Sequence, residues 1–162
     1  MSSFILRPTN EHDRPFIREL ITLRWKAEAV VVHGEIFYPA ELPGLVAEQD
    51  HEVLGLITYQ IKNDQCEIIT LDSFQEGRGI GTQLIAAVRA IAVKAGCARI
   101  RVITTNDNIS ALAFYQKRGF TFKAIAINEV EKSRILKPSI PLTGCEGIPI
   151  RDEIELEMSI LR

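Results

Sequence analysis

The chain's 162 residues, 46% of them hydrophobic and 25% charged, suit one compact domain with its own core and leave little room for two. Nineteen Lys and Arg against 21 Asp and Glu give a net charge of −2, which supplies no electrostatic reason to expect nucleic acid as a partner. Cys66, Cys97 and Cys145 are odd in number, form no C-x-x-C and have no histidine at ligand spacing, so reduced thiols and no metal site are expected. Residues 1–15 lack an uninterrupted apolar run and no stretch reaches membrane-spanning length, so the expectation is a soluble cytoplasmic protein without a membrane partner.

Phe4-Ile5-Leu6-Arg7, stopped by Pro8, reads as a first strand. Thr9 or Asn10 can cap a helix whose apolar Phe16, Leu20, Ile21 and Leu23 recur at helical spacing as far as Trp25. Residues 27–42, broken by Gly34 and Pro39, read as a helix fragment and loop. Residues 45–48, 53–61 and 66–71 then form three strands of a meander, turned at Asp50-His51-Glu52 and at Asn63-Asp64. A helical pattern of Leu84, Ile85, Val88, Ile91 and Ala92 ends at Gly96, and residues 99–104 alternate as a strand, so a right-handed strand–helix–strand crossover is expected. Asn108 or Ser110 opens a second helix running to Arg118 and closed by Gly119, and residues 120–126 follow as a strand. Ile154, Leu156, Met158 and Ile160 alternate with Glu155, Glu157, Ser159 and Leu161 in a last strand with one wet face. The intervening 128–152 segment is long for a loop, yet Pro138, Pro141 and Pro149 with Ile135, Leu136, Ile140 and Ile148 argue for order.

Between the strand at 66–71 and the helix after it lies Gln75-Glu76-Gly77-Arg78-Gly79-Ile80-Gly81-Thr82. Glycines at alternate positions, where a chain leaves a strand and opens a helix, suit an anion, because the first helical N–H groups have no intrahelical partner. Tight strand-to-helix turns also need glycine for conformation alone, and the residues of the loop leave both readings open. A dinucleotide loop is disfavoured, because Thr82 stands where G-x-G-x-x-G would place its third glycine.

Glu76-Gly77-Arg78-Gly79-Ile80-Gly81, together with the segment from Asn108 to Phe120, resembles the two linked motifs of the GNAT superfamily of acyl-CoA-dependent N-acyltransferases. The resemblance covers residues 66–122 and implies an α/β (α+β) fold: a mixed, mostly antiparallel central sheet of six to seven strands with a central splay, flanked by about four helices. It implies acetyl-CoA, or another acyl-CoA, as co-substrate, lying between the strands at 66–71 and 99–104. The pyrophosphate would sit on Gly77, Arg78, Gly79, Ile80, Gly81 and Thr82, and the pantetheine amides would pair with the backbone at Leu71, Asp72 and Ser73. A backbone N–H near Leu71 would polarise the thioester carbonyl. One departure stands out: the family's Gln or Arg at the head of the glycine motif is Glu76 here, a carboxylate whose repulsion the backbone amides and Arg78 would have to offset.

The family position marks Tyr115 as the proton donor to the departing thiolate and Asn108 as a cofactor contact, with a helix N-cap as the alternative or additional role. Asn108, Ala111 and Tyr115 differ by three and four residues and share one helix face. Glu67 interrupts an otherwise uncharged strand and is the candidate general base, since burial raises a carboxyl pKa; Asp72, Glu35 and His33 are further candidates, and a water chain is the alternative. The 128–152 segment is expected to shape the acceptor pocket, with Arg134 and Lys137 toward an acidic group, or else to serve as a subunit contact or sheet-edge cover. The acceptor is a small-molecule or peptide amine, and family habit suggests a homodimer. The competing reading is an acyl-CoA-binding regulatory module that has lost catalysis.

Overall fold

The computed structural model describes residues 3–160. In chain order it comprises β1 (Ile5–Pro8), α1 (Arg14–Trp25), β2 (Val30–Val32), β3 (Glu35–Phe37), β4 (Gly44–Gln49), β5 (Glu52–Lys62), β6 (Gln65–Ser73) and α2 (Ile80–Lys94), followed by β7 (Arg99–Thr105), α3 (Ile109–Lys117), β8 (Thr121–Ala126), α4 (Glu129–Leu136) and β9 (Glu153–Ser159). Seven strands build one sheet in the spatial order β1-β4-β5-β6-β7-β9-β8, and β2 and β3 form a separate hairpin. Within the large sheet only β6 and β7 run parallel. The mixed, mostly antiparallel sheet with four α-helices is the architecture that the resemblance implies.

Both faces of the sheet centre are covered, which is why its strands read as nearly continuous apolar runs. Leu45 and Ala47 point to one face and Val46 to the other, as the two-residue period of a strand requires. The first face packs Ile57, Cys66, Ile68, Ile100 and Val102 against Leu84, Ile85, Val88 and Ala92 of α2. On the second, Val46 and Leu56 meet Ile17, Leu20 and Ile21 of α1 together with Val30 and Phe37 of the hairpin.

The sheet opens at its middle. β6 and β7 pair only from Gln65 with Arg99 to Ile68 with Val102, whereas β6 continues to Ser73 and β7 to Thr105. At this point the β5–β6 register shifts: Thr58 opposes Thr70 and Tyr59 opposes Ile68, leaving Ile69 as an extra residue on β6. Such a bulge bends its strand and increases local twist, so β6 turns away from β7 with one backbone edge free of strand pairing.

Two segments differ from the sequence-based expectation. Residues 27–42 form a hairpin and a single 3-10 turn at Pro39–Glu41 rather than a helix fragment beginning at Ala27: α1 stops at Lys26, a left-handed C-cap, and Val30-Val31-Val32 pairs with Glu35-Ile36-Phe37. His33 and Gly34 both have positive φ, 52° and 72°, the pairing of left-handed residues whose twist suits a two-residue hairpin turn. Within 128–152 an eight-residue helix, α4, buries Val130 and Ser133. The last strand ends at Ser159, and Leu161, expected to continue its alternation, lies outside the described residues. All three cysteines are free thiols. Among the described residues no helix is long and apolar enough to cross a membrane.

The first strand is tied to α1 through Asp13. Arg7 donates to both carboxylate oxygens of Asp13 at 2.9 Å and to Glu48 at 2.9 Å, and the Asn10 N–H donates to Asp13 at 2.8 Å. The Arg7 guanidinium holds the Asp13 carboxyl below its ordinary range, against the opposing effect of burial. Asp13→Asn is expected to cost about 2 kcal/mol in urea denaturation at neutral pH, as charge-assisted hydrogen bonds are lost. Because the folded pKa is depressed, this stabilisation is full above the unfolded value of about 4 and disappears as pH falls through the lower folded value, so the variant should lose part of the acid-induced decline.

Candidate functional site

The glycines of the loop have two distinct physical roles. Gly77 and Gly79 adopt φ of 76° and 72°, and an added Cβ would meet nothing within 4 Å, so backbone conformation alone requires them. Gly79 is the N-cap of α2 and supplies no side-chain cap; the Gln83 N–H donates to its carbonyl at 3.0 Å, which leaves the N–H groups of Ile80, Gly81 and Thr82 without intrahelical acceptors. At Gly81 the reason is steric: a Cβ would lie 3.0 Å from Phe114 Cζ, so the missing side chain lets α2 approach α3.

A cavity of about 490 Å³ lies between this loop, the open edge of β6 and α3. It brings together Leu71, Ser73, Gly77, Gly79, Ile80, Gly81, Thr82, Asn108 and Tyr115, with Gln75, Glu76, Ala111 and Arg118 also on its walls. Two sequence-derived candidates stand apart from it. Asp72 alternates away: the Phe74 N–H donates to Leu54 O at 2.9 Å, so two residues earlier the Asp72 backbone also faces β5, while those of Leu71 and Ser73 face the open edge. Its carboxylate lies 3.3 Å from Arg24, with burial raising its pKa and Arg24 opposing the rise. Arg78 donates to Gln75 Oε1 at 2.7 Å and stands 5.4 Å over the Phe4 ring.

Arg118, which the sequence reading passed over as a site residue, buttresses the wall. Its Nε donates to Thr82 Oγ1 at 2.8 Å and its Nη1 to the Phe114 carbonyl at 2.9 Å, with the guanidinium 3.6 Å over the Phe114 ring. The signal was present in the spacing, because residue 118 follows 108, 111 and 115 on the same helical face.

Tyr115 is buried, its ring held edge-on between Phe114 and Phe120 at 5.3 Å from each. Among the described residues its hydroxyl has no hydrogen-bond partner, although the residue lines the cavity. Burial, with a smaller contribution from Asp72, pushes its pKa above the ordinary tyrosine value, so the hydroxyl keeps its proton throughout the neutral range. Asn108 is the N-cap of α3: its side-chain oxygen accepts from the Ala111 N–H and the Ser110 hydroxyl, both at 3.2 Å. Its amide nitrogen remains available as a donor.

A second cavity, of about 280 Å³, adjoins the same helix start, with Asn108 on the walls of both. It lies among the end of α1, the hairpin, α4 and the 137–150 segment, and it contains Glu153 at the start of β9. Glu153 is 4% exposed. The His33 N–H approaches its two oxygens at 3.3 and 3.4 Å, and the His33 ring nitrogen Nδ1 lies 3.5 Å away. Burial raises the Glu153 pKa above the usual carboxylate value, with the His33 N–H pulling it back.

Glu67 is elsewhere. It faces Arg101, its register partner across the parallel pair, at 3.0 Å, and Arg101 also reaches Glu155 at 3.2 Å. It shares a separate polar cleft with Glu35, Lys62, Arg99 and Arg101. The charge inside an apolar strand is thus explained by an ion pair, and the carboxylate beside the open sheet is Glu153, which the sequence did not single out. His33 contacts that carboxylate. Arg134 also faces away from a ligand role: its guanidinium donates to the carbonyls of Pro141 and Ile150 at 2.7 Å each and ties α4 to the following segment. Lys137 does line the second cavity. No cluster of three or more His, Cys, Asp or Glu arranged to hold a metal ion occurs among the described residues.

Comparison with known proteins agrees with this geometry. The Bacillus subtilis protein YdhI, uncharacterised, is 46% identical over 151 residues, spanning 93% of this chain and 94% of its own. An IAA acetyltransferase from Bacillus cereus superimposes with a TM-score of 0.74 at 24% identity, over 98% of this chain and all of that one. A GNAT family acetyltransferase from Elizabethkingia anophelis, solved with acetyl-CoA bound, gives 0.69 at 20% identity, over 99% and 100% of the two chains. The family model for the acetyltransferase (GNAT) family matches residues 7–120; with its glycine loop, split sheet and facing helix, the chain belongs to that family, and its general chemistry is acyl transfer.

Proposed function

We propose that the protein moves an acetyl group from acetyl-CoA to a primary amine by direct attack of the amine on the thioester. The observation that carries this reading is the junction at Asn108: a cavity walled by the glycine loop meets, at one residue, a second cavity holding a buried carboxylate. The bound acetyl-CoA of the Elizabethkingia relative supports the same co-substrate here.

In this scheme the N–H groups of Ile80, Gly81 and Thr82 and the positive end of α2 hold the pyrophosphate, with Gly77 and Gly79 shaping the backbone around it. Leu71 and Ser73 present backbone groups along the open edge of β6 to the pantetheine amides, as an added strand would. Glu76 lines this cavity, and its charge is best accommodated turned toward solvent. In the second cavity Glu153 accepts a proton from the acceptor ammonium, directly or through water. The neutral amine then attacks the thioester carbonyl and the C–N bond forms; as the C–S bond breaks, Tyr115 donates its proton to the leaving thiolate, and the proton lost from the new amide nitrogen restores the Tyr115 hydroxyl through water.

The test is release of free CoA thiol from acetyl-CoA with a panel of primary amines, alongside a thermal shift with CoA. Thiol release that needs both substrates is the expected result. A clear thermal shift with CoA, without thiol release from any amine, would instead identify an acyl-CoA-binding module.

A further inference from the structure

The walls of the second cavity carry more chemical information than a primary amine requires. Lys137 is 8% exposed; its Nζ donates to the Ala29 carbonyl at 3.0 Å and lies 5.8 Å from the Trp25 ring. No carboxylate lies within ion-pair distance of it among the described residues. One turn earlier on the same face, Ser133 is 2% exposed and among the described residues its hydroxyl has no hydrogen-bond partner. A buried ammonium with one neutral acceptor and a buried hydroxyl with none are both costly, unless a ligand completes them. Both residues line this cavity.

Of the other charged groups on the wall, Lys26 is exposed at the end of α1, and the rest are engaged or opposite in charge. Asp107 accepts from the Thr105 hydroxyl and the Cys145 N–H, and Arg24 faces Asp72. Glu153 is the remaining carboxylate on the cavity wall, with His33 behind it. The cavity wall therefore carries a hydroxyl and a cation from α4 and its C-cap, a carboxylate from β9, and apolar surface from Trp25, Val130, Ile140 and Pro141. Its volume of about 280 Å³ lies at the small end of ligand pockets.

We propose that the acceptor is a free amino acid with an apolar side chain. Its carboxylate is held by Lys137 and Ser133, its amine is presented to Glu153, and its side chain lies against Trp25 and Ile140. This rests on the acetyl-transfer reading and narrows its acceptor. A peptide or protein amine, which lacks the adjacent carboxylate, would leave the Lys137 charge buried without a counter-ion.

The experiment compares alanine, valine, leucine, methionine and phenylalanine with their carboxamides, at saturating acetyl-CoA, by thiol release. For at least one pair the free acid should exceed the amide in kcat/KM by about tenfold or more, since a site built for a polar group discriminates strongly against its loss. Lys137→Met should collapse that ratio toward one and Lys137→Arg should retain much of it, with thermal melts reporting that both variants fold. Thiol release with equal rates for acids and amides, or with other amines only, overturns the amino-acid acceptor and leaves the acetyl-transfer reading standing. CoA binding without thiol release from any amine removes that reading, and this proposal with it.

Discussion

Glu153→Gln is expected to lower kcat by roughly 10²–10³-fold, the scale of a positioned general base, with the CoA-induced thermal shift unchanged. The sign of the pH dependence follows from burial. Desolvation raises the Glu153 pKa, so the proton-accepting form is filled only above the ordinary carboxylate range, and the ascending limb of kcat against pH should lie there in the wild type and vanish in the variant. Stability moves the other way. A carboxyl whose folded pKa is raised contributes stability that is present below its unfolded pKa and lost as pH rises through the folded value, so at pH 7 the uncharged glutamine should leave the melting temperature unchanged or higher. A variant with kcat within about threefold of wild type and the same pH limb would remove Glu153 as the base, since that loss is far below the contribution of such a group.

Tyr115→Phe is expected to reduce kcat about 10²-fold, the lower end for a general acid, with little change in KM for acetyl-CoA. Phenylalanine keeps the edge-on contacts with Phe114 and Phe120, so the melting temperature should hardly move. The wild-type hydroxyl, its pKa raised by burial, remains protonated beyond the usual tyrosine range, and no descending limb from its ionisation should interrupt kcat up to about pH 10. Unchanged acyl transfer by the variant at every pH would show that the thiolate takes its proton from water.

Much of the fold was legible because it is local. The meander turned at residues 50–52 and 63–64, the helices on either side of residues 99–104 and the alternating last strand each announce themselves through periodicity and turn chemistry within a dozen residues. The hairpin at 30–37 was missed because its signal, a left-handed His33-Gly34 turn between three-residue strands, is weaker than the helix-forming Ala-Glu-Ala that precedes it. α4 was missed because its amphipathic face is narrow, with only Val130 and Ser133 buried.

At the site, the sequence by itself determined the glycine loop, the helix that begins next to it and the face bearing Asn108, Ala111 and Tyr115, because each depends on spacing within one segment. Only the tertiary structure decided which carboxylate stands beside the split in the sheet. Glu67 and Glu153 are both buried acidic residues on strands, and their difference lies in partners far away in sequence: Arg101 across the parallel pair neutralises one, while the His33 turn and α4 enclose the other beside a cavity. The same is true of Gly81, required by Phe114 on another helix, and of Lys137, whose burial emerges only when α4 folds over the end of α1. Backbone conformation is written within a few residues, whereas burial and charge pairing are set by long-range contacts that no local pattern encodes.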